Sequence, residues 1–446
     1  MSDYNTLFRE DLSAGEWALS IALFATLVSA DLYALPKLLN LLRALCATEC
    51  FTNEPIQGGK VKKGNEPVVT IQICSYNEGS VIEETINAAC NVDWPKDKLY
   101  VQVCDDSTDE SINIIQAACV KWQEKGVHCQ LLRRSDRIGY KAGSLHHHTK
   151  SVKGDFVAMF DSDHRAEPSF VRRAIPQFFK YNGSPKTEIG LVQLPWAFYN
   201  THQNILTEYD ALYSDISHVV EQTGRAAALK CFGFNGTGGV WRREAILAGG
   251  GWQWDTITED LDLSYLAHLQ GYDFVYLRDL PQQLELPSGI RAHVQQKHRW
   301  TKGFFQVLRK SLWNILTSKQ CSFALKYEAF FHFSGNVGFT LALLIFMLTA
   351  PAIYFDLFTT PIAWLGAIPI FTVAACAFAT IYGKVSGSNG HYKSFTSRTL
   401  RAIIVVPVAV MIGFGMCVFE TYAIIDGLTS NDATFKRTPK EGSSML

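Results

Sequence analysis

The chain has no excess of either charge. Its 41 Lys and Arg nearly balance its 42 Asp and Glu, for a formal net charge of −1, which excludes a strongly basic nucleic-acid binder. Charge is also scarce: 19% of the 446 residues are charged and 48% are hydrophobic, the opposite of a disordered chain. There is no internal repeat and no low-complexity tract. The 11 cysteines form no CxxC pair of zinc spacing, which argues against a zinc module or disulfide scaffold and for a domain facing a reducing compartment. The glycine-rich stretch 231–239 (CFGFNGTGG) lacks the GxxxxGK[ST] pattern of a P-loop. The start of the chain lacks the basic region and cleavage site of a signal peptide, because Arg9 is outweighed by Asp3, Glu10, Asp11 and Glu16.

The most informative absence is local. Residues 329–355, 357–383 and 402–419 contain no Asp, Glu, Lys or Arg, and crossing a bilayer takes about 20 apolar residues. Residues 17–36, interrupted by Asp31, form a fourth candidate span whose alternative is a buried core helix. Lys37, Arg43, Lys60, Lys62 and Lys63 follow that span, Arg309, Lys310 and Lys326 precede the second, and Lys384, Lys393, Arg398 and Arg401 follow the third. The bias of Lys and Arg toward the cytosol places residues 37–328 there. The tail, with Lys436, Arg437 and Lys440, also reads as cytosolic. A plain crossing at 402–425 conflicts with that, so this segment re-enters, bends near Pro407, or leaves the tail outside.

Between the spans, residues 66–300 read as an alternating α/β domain with strands at 68–75, 99–105, 127–133, 156–161 and 188–194, and helices over 79–90 and about 109–125. Short, near-continuous apolar strands between helices predict a mostly parallel sheet covered on both faces. The chain then divides into an N-terminal membrane helix and juxtamembrane segment (1–50), the α/β domain (51–300), amphipathic interfacial helices (301–328), a membrane region (329–425) and a tail (426–446). The polar linker 52–66 loops over the surface.

Ligands of such sheets bind at the carboxyl ends of the strands, and the acidic residues lie there. Asp161 and Asp163 (DSD) can aim two carboxylates at a hard cation such as Mg²⁺ or Mn²⁺ on a diphosphate, or form a solvated turn. Asp105 and Asp106 can accept hydrogen bonds from a base or ribose, or simply make a turn. Asp260, in Thr258-Glu259-Asp260 before a helix, is either a cap, as Thr258 also is, or a general base for an acceptor hydroxyl. In Gln296-Lys297-His298-Arg299-Trp300 the Arg can clamp a diphosphate and the Trp can stack on a sugar, or the segment is a membrane-surface anchor. Lys141 opens a helix whose free N–H groups suit phosphate. His146, His147 and His148 follow on consecutive helical positions and do not face one point.

The ordered set carries more than its members. The stretches CSYNEG (74–79), DDSTDES (105–111), FNGTGGVWRREAI (234–246), TEDLDLSYLAHLQGYDFVYL (258–277), QQKHRW (295–300) and FKRTPK (435–440) closely resemble the membrane-embedded family-2 glycosyltransferases, the group of cellulose, mannan and hyaluronan synthases, over about 68–446. Lys297 and His298 fill the variable positions of the QxxRW motif.

The resemblance implies an α/β fold of the GT-A type, a Rossmann-like, mostly parallel cytosolic domain inserted between transmembrane helices. It implies that Tyr76, Glu78, Asp105, Asp106, Lys141, Asp161 and Arg299 hold the donor nucleotide and that Asp161 and Asp163 hold Mn²⁺ or Mg²⁺. Asp260 would be the base, and Asn235, Glu259, Gln296 and Trp300 would face the acceptor. Phe435, Thr438 and Lys440 resemble a gating loop closing over the nucleotide. The implied activity is inverting extension of a β-linked glucan, mannan or glucomannan from UDP-glucose or GDP-mannose in a Golgi or plasma membrane. The partners are the growing polysaccharide and the lipid bilayer, with room for a homo-oligomer and no nucleic acid. The short C-terminus, without a regulatory domain, speaks against cyclic-dinucleotide control and a self-contained channel. A single transfer onto a lipid acceptor would use the same acids. A dead scaffold or transport subunit predicts lost acids, yet Asp105, Asp161, Asp163 and Asp260 are all present.

Overall fold

The computed structural model describes residues 6–9, 11–47, 58–382 and 395–438. Helix α1 (Ala14–Cys46) starts at a capping box in which the Ser13 hydroxyl and the Glu16 carboxylate each take the other's backbone N–H. The α/β unit then runs β1 (Val69–Ser75), α2 (Val81–Cys90), β2 (Leu99–Asp105), α3 (Ser111–Glu124), β3 (His128–Arg133), α4 (Tyr140–His148), β4 (Phe156–Phe160), the short α5 (Phe170–Ala174), β5 (Ile189–Gln193) and β6 (Trp196–Phe198). Helix α6 (Ile205–Ile216) passes through a π-helical turn (Ser217–Gln222) into α7 (Thr223–Leu229). Then come β7 (Gly239–Arg242), α8 (Arg243–Ala248), α9 (Glu259–Leu269), β8 (Asp273–Tyr276) and β9 (Gln282–Leu284). Five helices close the described chain: α10 (Ile290–Thr317), α11 (Phe323–Ser334), α12 (Val337–Tyr354), α13 (Thr360–Tyr382) and α14 (Phe395–Thr429).

The main sheet has seven strands in the order β3-β2-β1-β4-β7-β5-β8. All neighbours are parallel except β7, which runs antiparallel between β4 and β5. The five strands expected from sequence are present, each within a residue or so of its expected ends. Strands β7 and β8, four residues each, were not foreseen. The chain steps outward from β1 to β3 and returns across β1 to β4, so the crevice at the carboxyl ends of β1 and β4 is the switch point where ligands bind. Strands β6 and β9 form a separate parallel pair beside it.

One apolar core, including Ile71, Ile73, Val101, Phe160 and Phe170, packs α2, α3 and α5 on one face. A second, including Met159, Trp241, Trp252 and Tyr265, packs α8, α9 and the α10–α11 hairpin on the other. Full burial of such side chains contributes about 1.5–3 kcal/mol each.

Four helices are long and apolar enough to cross a membrane: α1, α12, and the segments Thr360–Ala377 of α13 and Ile403–Thr429 of α14. Their outer faces expose Phe346, Met347, Trp364, Ile370 and Phe414, which a lipid environment accommodates and water does not. The C-terminal halves of α1 and α13 meet the π-helical turn through Leu41, Cys376 and Val220. Helix α12 starts beside α10, where Asn336 bonds Thr301, and the end of α14 lies there too, where Glu420 accepts from Thr301. Helix α14 is continuous through Pro407. Its end and the following residues 430–438 lie against the α/β unit, so the tail and that unit are on the same side. Lys384 and Lys393 lie outside the described residues.

Candidate active site

The strand ends place the acids. Asp161 follows β4 directly, and its Oδ1 meets the Lys141 ammonium at 2.5 Å. Lys141, in the first turn of α4, also donates to the Gly236 carbonyl (3.0 Å) and stands 3.9 Å from Glu259. Glu259 and Asp260 form the first turn of α9. The Thr258 side chain makes no capping hydrogen bond, whereas Asp260 Oδ1 accepts from the Leu261 N–H at 2.8 Å. A Cβ on Gly236, which has φ +79°, would sit 2.8 Å from Asp260 Oδ2. The turn therefore needs glycine both for its left-handed backbone and for the close approach of this carboxylate. Arg299, on α10, completes the cluster and feels Asp161, Glu259 and Asp260.

The electrostatics follow from burial. Desolvation raises the pKa of Asp260, and the neighbouring Glu259 charge adds to it, bringing it to about 7. Burial likewise raises Glu259, with Lys141 opposing. Burial disfavours the Lys141 charge, but Asp161 and Glu259 outweigh it and hold the ammonium protonated. The result is a carboxylate that titrates near neutrality beside a fixed cation, the condition for general-base chemistry.

Next to this cluster, at the ends of β1 and β2, lies a second group. Asp106 is locked by a bidentate contact with Arg134 (2.8 and 2.6 Å). Asp105 accepts the Ser107 hydroxyl at 2.6 Å through Oδ1, while its buried Oδ2 accepts no hydrogen bond and has the Arg133 guanidinium at 3.9 Å. Burial raises the Asp105 pKa. The Tyr76 ring lies 3.3 Å beneath the Arg137 guanidinium, which also reaches the Tyr140 ring at 4.9 Å. Glu78 pairs with Arg437 of the tail at 2.6 Å. Burial raises the Glu78 pKa and Arg437 partly offsets that.

The tail reaches back over the crevice. Arg299 donates to the Lys436 carbonyl (2.6 Å) and lies 4.4 Å over the Phe435 ring. Thr438 is buried, and Lys440 lies outside the described residues. On the far wall, Trp300 stands 6.4 Å from Trp196 of β6, with the Lys297 ammonium 4.7 Å from its ring. Lys297 is buried against Asp210, which also bonds His293. Gln296 is buried on the same helix. Asn235 takes the Gln222 amide (2.9 Å) and gives its N–H to Gln193 (3.2 Å).

The structure thus brings Lys141, Asp161, Glu259, Asp260 and Arg299 together, with Tyr76, Glu78, Asp105 and Asp106 toward one edge and Trp300 toward the other. Sequence reading missed Arg134, Arg137, Arg437 and Trp196. The first two sit in RRSDRIGYK, where a basic run before a helix was the available signal.

Among the described residues no group of three or more His, Cys, Asp or Glu side chains forms a ready-made metal cage. Asp161 nonetheless presents a hard oxygen donor, about a third exposed, to the crevice. Mg²⁺-type sites take one or two protein carboxylates and complete their shell with phosphate and water. Asp163, buried with Oδ2 accepting the Glu285 N–H at 3.1 Å, stands two residues on. The donor set fits that mode.

Comparison with known proteins places this arrangement. Residues 70–235 match the family model described as Glycosyl transferase family 2, and residues 156–415, more than half of the chain, match Glycosyl transferase family group 2. The chain is 40% identical over 291 residues to the probable glucomannan 4-beta-mannosyltransferase 7 of Oryza sativa subsp. japonica, covering 64% of this chain and 48% of that protein. It is 40% identical over 285 residues to the glucomannan 4-beta-mannosyltransferase 2 of Arabidopsis thaliana, covering 63% and 52%. The chain therefore spans about half the length of the curated relatives it matches. Among solved structures, the mannosyltransferase PcManGT from Pyrobaculum calidifontis, in complex with GDP-Man and Mn²⁺, superposes with a TM-score of 0.52 at 20% identity, covering 81% of this chain and 99% of that chain. Fold, strand-end acids and sequence match agree that the chain is a membrane protein of the GT-A fold and belongs to Glycosyl transferase family group 2.

Proposed function

We propose that the chain is an inverting glycosyltransferase that extends a β-linked mannan or glucomannan from GDP-mannose, with UDP-glucose as the other donor of its class. The observation that carries this is the single half-buried cluster of Asp260, Glu259, Lys141, Asp161 and Arg299 at the strand ends. The names of the two plant relatives support mannose as the sugar and a polysaccharide as the acceptor.

In this reading Asp260 takes the proton of an acceptor hydroxyl, which attacks the anomeric carbon in line and inverts it as the nucleoside diphosphate leaves. General-base help of this kind contributes about 10²–10⁴-fold. Lys141 and Arg299 supply fixed positive charge beside the leaving diphosphate. Tyr76 and Asp105 hold the nucleoside, Glu78 and the tail residues Phe435 and Thr438 close over it, and Trp300 with Trp196 offers aromatic faces to the acceptor sugar. Asp161 and Asp163 would hold Mn²⁺ or Mg²⁺, which supplies charge neutralisation on the diphosphate. Residues 51–300 and the tail face the cytosol of a Golgi or plasma membrane, where nucleotide sugars are made, with 301–328 along the membrane surface.

The test is a donor screen on detergent-purified chain with Mn²⁺ or Mg²⁺, supplying GDP-mannose, UDP-glucose and UDP-N-acetylglucosamine separately and sizing the product. A long polymer cleaved by a β-mannanase is the expected result. A short or lipid-linked product would overturn the polymer reading.

A further inference from the structure

At the end of β4 the chain leaves the sheet, and the way it leaves is unusual. The last ladder bond between β4 and the β7 side runs from the Gly238 N–H to the Met159 carbonyl at 3.0 Å. The preceding chain turns away at Gly238, with φ +69°, so no backbone carbonyl meets the next inward N–H of β4, that of Asp161. The Thr237 hydroxyl takes its place, accepting the Asp161 N–H at 3.0 Å.

The same hydroxyl lies 3.0 Å from His164 Nδ1, and the His164 N–H donates to the Asp161 carbonyl at 3.1 Å. Asp161, His164 and Thr237 therefore close a ring of three hydrogen bonds around the DSDH turn. A hydroxyl has one proton and two lone pairs. Thr237 Oγ1 accepts from Asp161 and also meets His164 Nδ1, as donor or acceptor according to the imidazole tautomer; where it accepts from both, its own proton faces the Met159 carbonyl at 3.5 Å. Thr237 and His164 are fully buried, and the His164 ring is stacked on Phe160 at 4.1 Å, so neither partner has water as a substitute.

We propose that Thr237 is a positioning residue for the cation site. It acts through Asp161, fixing the direction in which that carboxylate leaves the sheet. This rests on the reading above that Asp161 holds the divalent ion. Groups that orient a ligand rather than touch the metal change affinity by about 10–100-fold when removed.

The test compares Thr237→Ala with Thr237→Ser, which differ by one oxygen atom. The readout is binding, not turnover: calorimetric titration of the detergent-solubilised full chain with GDP and with UDP at a series of Mn²⁺ concentrations. The Mn²⁺ concentration giving half-maximal nucleotide binding should rise about ten-fold in T237A and return to the wild-type value in T237S. A thermal melt of each variant accompanies the titration. His164→Asn, whose amide mimics the Nδ1 edge, probes the ring from its other side and should shift the half-point less than T237A. An unchanged half-point in T237A overturns the inference, as does an equal loss in T237A and T237S. Nucleotide binding by the wild type that ignores Mn²⁺ overturns the metal reading itself, and the inference falls with it.

Discussion

Removing the Asp106 carboxylate leaves the Arg134 guanidinium, only 4% exposed, without its bidentate partner. Breaking a buried pair from one side costs about 3–5 kcal/mol. Asp106→Ala should therefore lower the melting temperature strongly and loosen residues 134–140, whose Ile138 and Tyr140 carbonyls the same guanidinium holds. Asp105 differs, because its Oδ2 accepts no hydrogen bond. Asp105→Asn should leave the melt near wild type and weaken nucleotide binding about ten-fold, the worth of one hydrogen bond to a charged group. Thermal melts and nucleotide titrations of the two variants separate these roles. The sequence displays the two aspartates as equals. What distinguishes them is Arg134, 28 residues away and brought near only by the pairing of β2 with β3.

The tail is the element whose attachment the sequence reveals least. Residues 430–438 have no regular secondary structure and are held by side chains of other elements: Arg309 on the Ser430 carbonyl and the Asn431 side chain, Gln306 on Asp432, Arg299 on Lys436, and Glu78 on Arg437. Arg437 is about a third exposed, but its partner Glu78 is 7% exposed, and burial already pushes that carboxyl toward its neutral form. Arg437→Ala should therefore lower the melt only modestly, because Glu78 takes up a proton in place of the lost cation, while raising the KM for the donor several-fold, as steady-state kinetics would show. The strands were legible because buried parallel strands read as continuous apolar runs. Strand β7 was not, since Gly239–Arg242 is short and only its antiparallel partners β4 and β5 define it. Its turn at 235–238 belongs to a glycine-rich stretch that reads either as a tight turn or as backbone against which an extended substrate lies, and the structure makes it a strut between Asp161, Lys141 and Asp260.

At the scale of the molecule, an ionic network fastens the α/β unit to helix α1, and Lys302 with Asp426 fastens α10 to α14. Glu328 of α11, 2% exposed, accepts from Arg225 of α7, from Arg43 and from Asn40 of α1. Arg225 also pairs with Glu221, which holds Lys37. Glu328→Ala should leave Arg225 with Glu221 alone and take the shared acceptor from Arg43 and Asn40, read as a fall in the melting temperature in detergent. Hydropathy located the spans. It did not give the path of α14, because the basic tail and the apolar run point to opposite conclusions until the tail is seen lying on the catalytic unit. Nor did it show that Arg43 and Lys37, taken as topology signals, also carry these ion pairs.

The central claim is that Asp260 is the base. The folded chain holds its proton more tightly than the unfolded chain, so the ionised carboxylate costs stability. That cost is absent below the ordinary Asp value of about 3.9 and complete above about 7. The wild-type kcat/KM should rise with pH through about 7 as the base ionises. Asp260→Asn removes the charge and the cost together. The most direct measurement is turnover of the donor by this variant at pH 8, with nucleotide binding and a thermal melt on the same preparation. The account predicts turnover lower by about 10²-fold or more, nucleotide binding kept, and a melting temperature no lower than wild type. A variant that still turns over at near wild-type rate, or one that loses activity only because it no longer folds, would contradict it.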